Sequence, residues 1–185
     1  MLDLHFVTPG LAVGAHFPME LAARLAADHG LARVIDVREE ACDDAEVLRT
    51  HGITLLHLPT CDTRAVSPTA LDEAVAFAGA GLDAGERVLV HCQYGIGRSA
   101  LVAACVLVAR GMAPLEALVA LKRARPVVSP SPEQLHALAG YAARVHARRR
   151  PAWEVPDVEA LGRIAWSHLG PGAPDELLRR SSTRG

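Results

Sequence analysis

Apolar residues along the chain follow two rhythms. Short runs rich in β-branched residues at Leu4–Thr8, Leu11–Gly14, Ala32–Val37, Ile53–Leu58 and Arg87–Val90 read as strands. Between and after them, apolar positions at helical spacing mark helices over 18–29, 42–51, 68–82, 113–123 and 131–148, and the continuous apolar run 99–109 marks a buried one. The punctuation agrees. Pro9-Gly10 is a turn joining the first two strands, Gly30 stops the first helix, Pro114 sits in a first helical turn, and Ser131 to Gln134 forms a capping box. Alternating strands and helices predict an α/β fold: a single domain over 1–149 with a central, mostly parallel mixed sheet of about five strands flanked by helices. Residues 150–185 form a C-terminal extension. Pro151–Pro156 reads as a linker, 157–169 as an amphipathic helix with Leu161, Ile164, Ala165 and Trp166, and the stretch from Gly170 as a frayed tail. The apolar face of that helix is expected to pack on the domain or on a second copy as a homodimer.

The junction between the fifth strand and the apolar helix carries the chemistry. It reads His91-Cys92-Gln93-Tyr94-Gly95-Ile96-Gly97-Arg98-Ser99. Backbone N–H groups at a helix N-terminus lack intrahelical partners and lie at the positive end of the dipole, so a loop curling over that end collects an oxyanion. Gly95 and Gly97 allow the curl, and the amides of 93–98 form the cradle. The same field makes Cys92 a thiolate at neutral pH, while Arg98 offers a planar fork that matches two phosphate oxygens. Thiolate attack on a phosphomonoester expels an alkoxide or phenoxide, which a carboxylic acid must protonate. Asp62 follows the fourth strand on a Pro-flanked loop at the expected sheet edge, whereas Asp36 lies within a strand and Asp43 and Asp44 suit a helix N-terminus.

His91-Cys-x2-Gly-x2-Arg-Ser99 resembles the signature loop of cysteine-dependent protein tyrosine phosphatases. Pro9–Gly14, Val34–Arg38, the Asp62 loop, Arg125-Pro126 and Pro132–Gln134 resemble the small dual-specificity branch, over residues 4 to about 145. The resemblance implies catalysis through a phosphocysteine on Cys92. Arg98 and residues Gln93, Tyr94, Gly95, Ile96 and Gly97 would bind substrate phosphate, with Asp62 as acid and then base, and Ser99 easing thiolate departure. His91 is expected to orient the loop and help hold the thiolate. Two readings of Arg38 stand, a substrate contact or a solvated strand-end charge, and Arg125 matches a position bordering the site, with loop bracing as its expected role. Gln134 matches a position with a catalytic duty, although the capping box accounts for it. Cys61, next to Asp62, is a candidate disulfide partner for Cys92 under oxidation.

Composition narrows the partners. A net charge of −2 gives no basic footprint for nucleic acid. The nine histidines show no HExxH or paired Cys/His spacing, so neither a metal nor another cofactor is expected. Four cysteines without CxxC or framework spacing favour a reduced, cytoplasmic setting. The N-terminus lacks a basic n-region and the longest apolar run is too short to span a bilayer, so no stable membrane association is expected. Substrate is expected to be a phosphorylated protein, at phosphotyrosine and also phosphoserine or phosphothreonine, or a small phosphomonoester; the loop positions 93, 94, 96 and 97 carry no cation of the kind phosphoinositide-directed relatives use. The alternatives are a phosphoinositide or other small-molecule phosphatase, a rhodanese-like sulfurtransferase, and a phosphate-binding module without turnover.

Overall fold

Alternate residues of three adjacent parallel strands enter two different cores, which is how the short apolar runs are used. The computed structural model describes residues 1–169. β1 (Leu4–Phe6) and β2 (Leu11–Gly14) pair antiparallel, and β3 (Leu31–Arg38), β4 (Thr54–Thr60) and β5 (Arg87–His91) run parallel to β2. The order is β1-β2-β5-β3-β4. Leu11, Val13, Ile35, Val37, Val88 and Val90 face the larger core, whereas Ala12, Val34 and Leu89 face the smaller one, the period of two that pleating imposes.

The smaller core is closed by Leu25 of α1 (Ala22–Ala27) and Leu48 of α2 (Ala45–Thr50), together with Phe17 and Ile53. The larger core is filled from α3 (Pro68–Asp83), α4 (Arg98–Ala109), α5 (Pro114–Ala124), α6 (Pro132–Arg149) and α7 (Val158–Ala165). α4 packs against the sheet on one side and α3, α5 and α6 on the others, which is why its sequence is apolar all round: Ser99 to Val108 are all buried. Side-chain caps start the neighbouring helices, from Asp44, Ser67, Ser131 and Asp157.

Several expected boundaries move for identifiable reasons. The first helix opens as a 3-10 turn at Met19–Leu21 before α1. β4 runs on through Pro59 to Thr60, because an edge strand tolerates a residue without an N–H. The second helix begins at Ala45, and only Asp44 caps it, since Asp43 turns inward. α7 ends at Ala165, where the Trp166 ring folds back over Gly162, and a 3-10 turn covers Ser167–Leu169. Leu161, Ile164 and Ala165 join the larger core, so the apolar face of α7 packs on the domain itself, against α5 and α6. The tail from Gly170 lies outside the described residues. Among the described residues no helix is long and apolar enough to cross a membrane.

Leu101 is fully buried in α4, at the centre of this packing. Leu101→Ala should lower unfolding free energy in urea by about 2–5 kcal/mol, and a loss under about 1 kcal/mol would show that α4 is not the keystone described.

Candidate active site

The parallel strands all point their carboxyl ends at one edge of the sheet, and the chemistry-bearing residues gather there. His91 closes β5 and lies in register between Gly14 of β2 and Asp36 of β3, so Cys92 leaves the sheet at its centre. β4 ends nearby at Thr60 and delivers Asp62.

The loop from Cys92 to Arg98 has its carbonyls turned outward, and each from residue 93 to 97 has a partner. Gln93 O accepts from the backbone N of His16 at 3.3 Å and lies 3.2 Å from its Nδ1. Arg125 donates to Tyr94 O and Gly95 O, both at 2.9 Å. Ile96 O accepts from Ser129 N at 2.9 Å, and Gly97 O from Leu101 N at 2.9 Å in the first turn of α4. With the carbonyls satisfied outside, the amides are free to face inward, and Gly95 N points at Cys92 Sγ at 3.3 Å. Gly95 has φ +67° and touches the Gly14 backbone so closely that a Cβ would lie 2.5 Å from its carbonyl carbon. Arg125 is itself held by a bidentate pair with Asp3, at 2.5 and 2.7 Å, and lies 3.1 Å from His5 Nδ1.

Cys92 is buried, 3.4 Å from Ser99 Oγ. Burial pushes its thiol up, yet the Ser99 hydroxyl and the N–H groups of Ser99, Tyr94 and Gly95 outweigh that and hold it below its ordinary value. Arg98 is buried at the start of α4, with its Nη groups on Thr60 O at 2.8 Å and on both oxygens of Glu40 at 2.7 Å. Its Nη2 also lies 3.2 Å from Asp62 Oδ1. Its Nε is buried with no partner among the described residues, the donor that an oxyanion over the loop would take. Glu39, Glu40, Asp62, Gln93 and Tyr94 line the mouth, a cavity of about 530 Å³, in which Tyr94 is exposed.

Glu40 was not legible as a site residue. Its bidentate hold on Arg98 depends on the turn after β3, and Arg98 keeps its carboxyl down at about 2, so it remains an anion at any working pH. Cys61 donates to Glu39 at 2.5 Å, and that bond pushes its thiol up; all four cysteines are free. Gln134 completes the capping box with Ser131, as expected, but also donates to Arg64 O at 3.0 Å and lies so close to Gly97 that a Cβ there would meet its Oε1 at 2.5 Å.

Arg38 departs from both sequence readings. It is buried, neither solvated nor lining the mouth, and pairs with Asp36 at 2.8 Å and Asp43 at 2.5 Å. Asp43 in turn accepts from His91 Nε2 at 2.8 Å, and the Phe17 ring lies 5.1 Å from the imidazole. This network fixes His91 beneath the loop, while its Nδ1 has no partner among the described residues. Asp36, Asp43 and His91 offer ligand atoms within 4.8 Å of one another, as do Asp36, Cys42 and His57. The Arg38 guanidinium already lies against both carboxylates of the first set and supplies their countercharge.

Residues 18–144 match the family model "Dual specificity phosphatase, catalytic domain". The chain belongs to this family. Dual-specificity phosphatases of the small, atypical branch are its structural neighbours, within the cysteine-dependent protein tyrosine phosphatase superfamily. The chain is 30% identical over 151 residues to the rat (Rattus norvegicus) protein phosphatidylglycerophosphatase and protein-tyrosine phosphatase 1, covering 78% of each. The structure of PTPMT1 in complex with PI(5)P superposes with a TM-score of 0.74 at 28% identity, over 78% of this chain and 97% of that one. Human DUSP28 gives a TM-score of 0.67 at 25% identity, over 78% of this chain and 95% of that one. A dual-specificity phosphatase assignment sets aside the rhodanese-like alternative.

Arg38→Met would leave Asp36 and Asp43 buried without their shared cation. It should cost about 3–5 kcal/mol of stability at neutral pH. Burial raises the Asp36 carboxyl, but Arg38 and His91 outweigh it and hold it below its ordinary value. Its stabilisation is therefore complete above about pH 4 and lost as pH falls through the lowered folded value. The variant should lack that acid-side slope in urea titrations, and a wild-type slope in the variant would contradict the network's role.

Proposed function

We propose that the chain is a metal-independent phosphomonoesterase that works through a phosphocysteine and acts on singly phosphorylated groups, phosphotyrosine and phosphoserine or phosphothreonine in proteins. The observation that carries this reading is the placing of Cys92 Sγ, 3.3 Å from the inward Gly95 N and 3.4 Å from Ser99 Oγ, in the same loop as Arg98, whose buried Nε has no partner among the described residues. Cys92 attacks phosphorus in line with the leaving oxygen. The P–O bond breaks as Asp62 gives its proton to that oxygen, while Arg98 and the loop amides hold the equatorial oxygens. In the second step Asp62 takes a proton from water, the water oxygen bonds phosphorus, and the P–S bond breaks with Ser99 Oγ donating to the departing sulfur.

The rim supports a single phosphate over a polyanion. Glu39, Glu40 and Asp62 stand at the mouth, the loop side chains are uncharged, and the exposed Tyr94 ring offers a face to an aromatic leaving group. A lipid phosphomonoester is the second reading, favoured by the name of the rat relative and by the phosphoinositide bound to PTPMT1.

Release of phosphate from p-nitrophenyl phosphate should survive a chelator and vanish in Cys92→Ser. Asp62→Asn should lower kcat about 10²–10⁴-fold and abolish the acid limb of the kcat profile. An unchanged profile would assign the acid to another carboxylate. In a panel of phosphotyrosine peptide, phosphatidylglycerophosphate and PI(5)P, the peptide should give the highest kcat/KM; a lipid lead would reverse the substrate order, and binding without release would leave a non-catalytic module.

A further inference from the structure

The segment from Arg125 to Ser131 faces two ways. Toward the site, Arg125 holds the Tyr94 and Gly95 carbonyls, Ser129 N holds Ile96 O, and Ser131 Oγ donates to Thr63 O in the Asp62 loop at 2.6 Å. Away from the site, the carbonyls of Pro126, Val128 and Pro130 point back. Lys122 Nζ donates to Pro126 O at 3.1 Å and Val128 O at 2.8 Å, and lies 3.0 Å from His168 Nδ1. Trp166 Nε1 donates to Pro130 O at 3.0 Å. The family match stops at residue 144, so Trp166 and His168 come from outside it.

We infer that residues 150–169 of the C-terminal extension are part of the catalytic scaffold, with Trp166 as a positioning residue that seats the 125–131 segment and, through it, the phosphate loop. Proline rings at 126 and 130 give this segment fewer N–H groups for bonds of its own. The segment is held between its contacts with the loop in front and the grip of Lys122 and Trp166 behind, and we assign part of its register to the rear contacts. α7 brings Trp166 to that place: its apolar face is anchored in the larger core, Asp157 caps its start, and the ring lies over Gly162. Trp153, in the same extension, is the natural contrast, because its buried Nε1 has no partner among the described residues.

The inference rests on the anion-binding reading of the 92–98 loop, and the test separates the two. Vanadate affinity and the kcat and KM for p-nitrophenyl phosphate are measured on the full chain, with melting temperatures alongside. Trp166→Phe keeps the ring and removes the donor. It should weaken vanadate binding roughly three- to tenfold, with KM rising more than kcat falls. Gly162→Ala, whose Cβ would lie 2.7 Å from the Trp166 ring, should displace the indole and act in the same direction without removing any polar group. Trp153→Phe should bind vanadate like wild type. Wild-type affinity in both Trp166→Phe and Gly162→Ala, or an equal loss in Trp153→Phe, would overturn the inference. A wild-type chain that bound no vanadate would overturn the loop reading and this inference with it.

Discussion

A phosphate cradle made of backbone turns every carbonyl in it the wrong way, toward the protein, where an unpaired acceptor is costly. The rest of this structure is arranged around that constraint. Five consecutive carbonyls, from Gln93 to Gly97, are taken by the backbone of His16, the Arg125 side chain, Ser129 and the first turn of α4. These partners come from both ends of the chain, and Arg125 is itself locked by Asp3 next to the first strand. The cradle is therefore a product of the whole fold, fixed by bonds within the protein, and fixed donors are what electrostatic stabilisation without reorganisation requires.

Charge is ordered in the same way. Among the buried guanidinium groups, two do different work: Arg38 neutralises Asp36 and Asp43 beneath His91, and Arg98 is pinned by Glu40 while its Nε has no partner among the described residues. Glu40 fixes the plane of the fork, and the same anion adds to the negative rim that a substrate must pass. One carboxylate thus both orients the buried guanidinium and sets the charge of the mouth.

The strands, the helices and the loop were legible because each rests on local pattern. Period-two runs, caps and the Cys92-to-Arg98 spacing are properties of neighbouring residues, and α4 announced its burial by being apolar all round. What escaped depends on contacts between distant positions. Glu40 reaches Arg98 and Arg38 folds back on Asp43 because of the turn after β3, whose course no sequence rhythm records. A charged residue at a strand end reads as solvated until its partners are known, and Asp43 read as a cap because it adjoins one. Gln134 shows the intermediate case: its capping role is local and was readable, while its bond to Arg64 and its contact with Gly97 are not. Trp166 likewise read as one more apolar position on a helix face, since its indole N–H matters only once Pro130 is opposite it.

The claim on which the rest depends is that inward amides make Cys92 a thiolate in a preformed oxyanion site. Its most direct measurement is the pH dependence of Cys92 alkylation by iodoacetamide, with and without inorganic phosphate. An inflection well below the ~8.5 of a free thiol, with alkylation suppressed by phosphate, is expected. An inflection at or above that value, or a rate indifferent to phosphate, would contradict it.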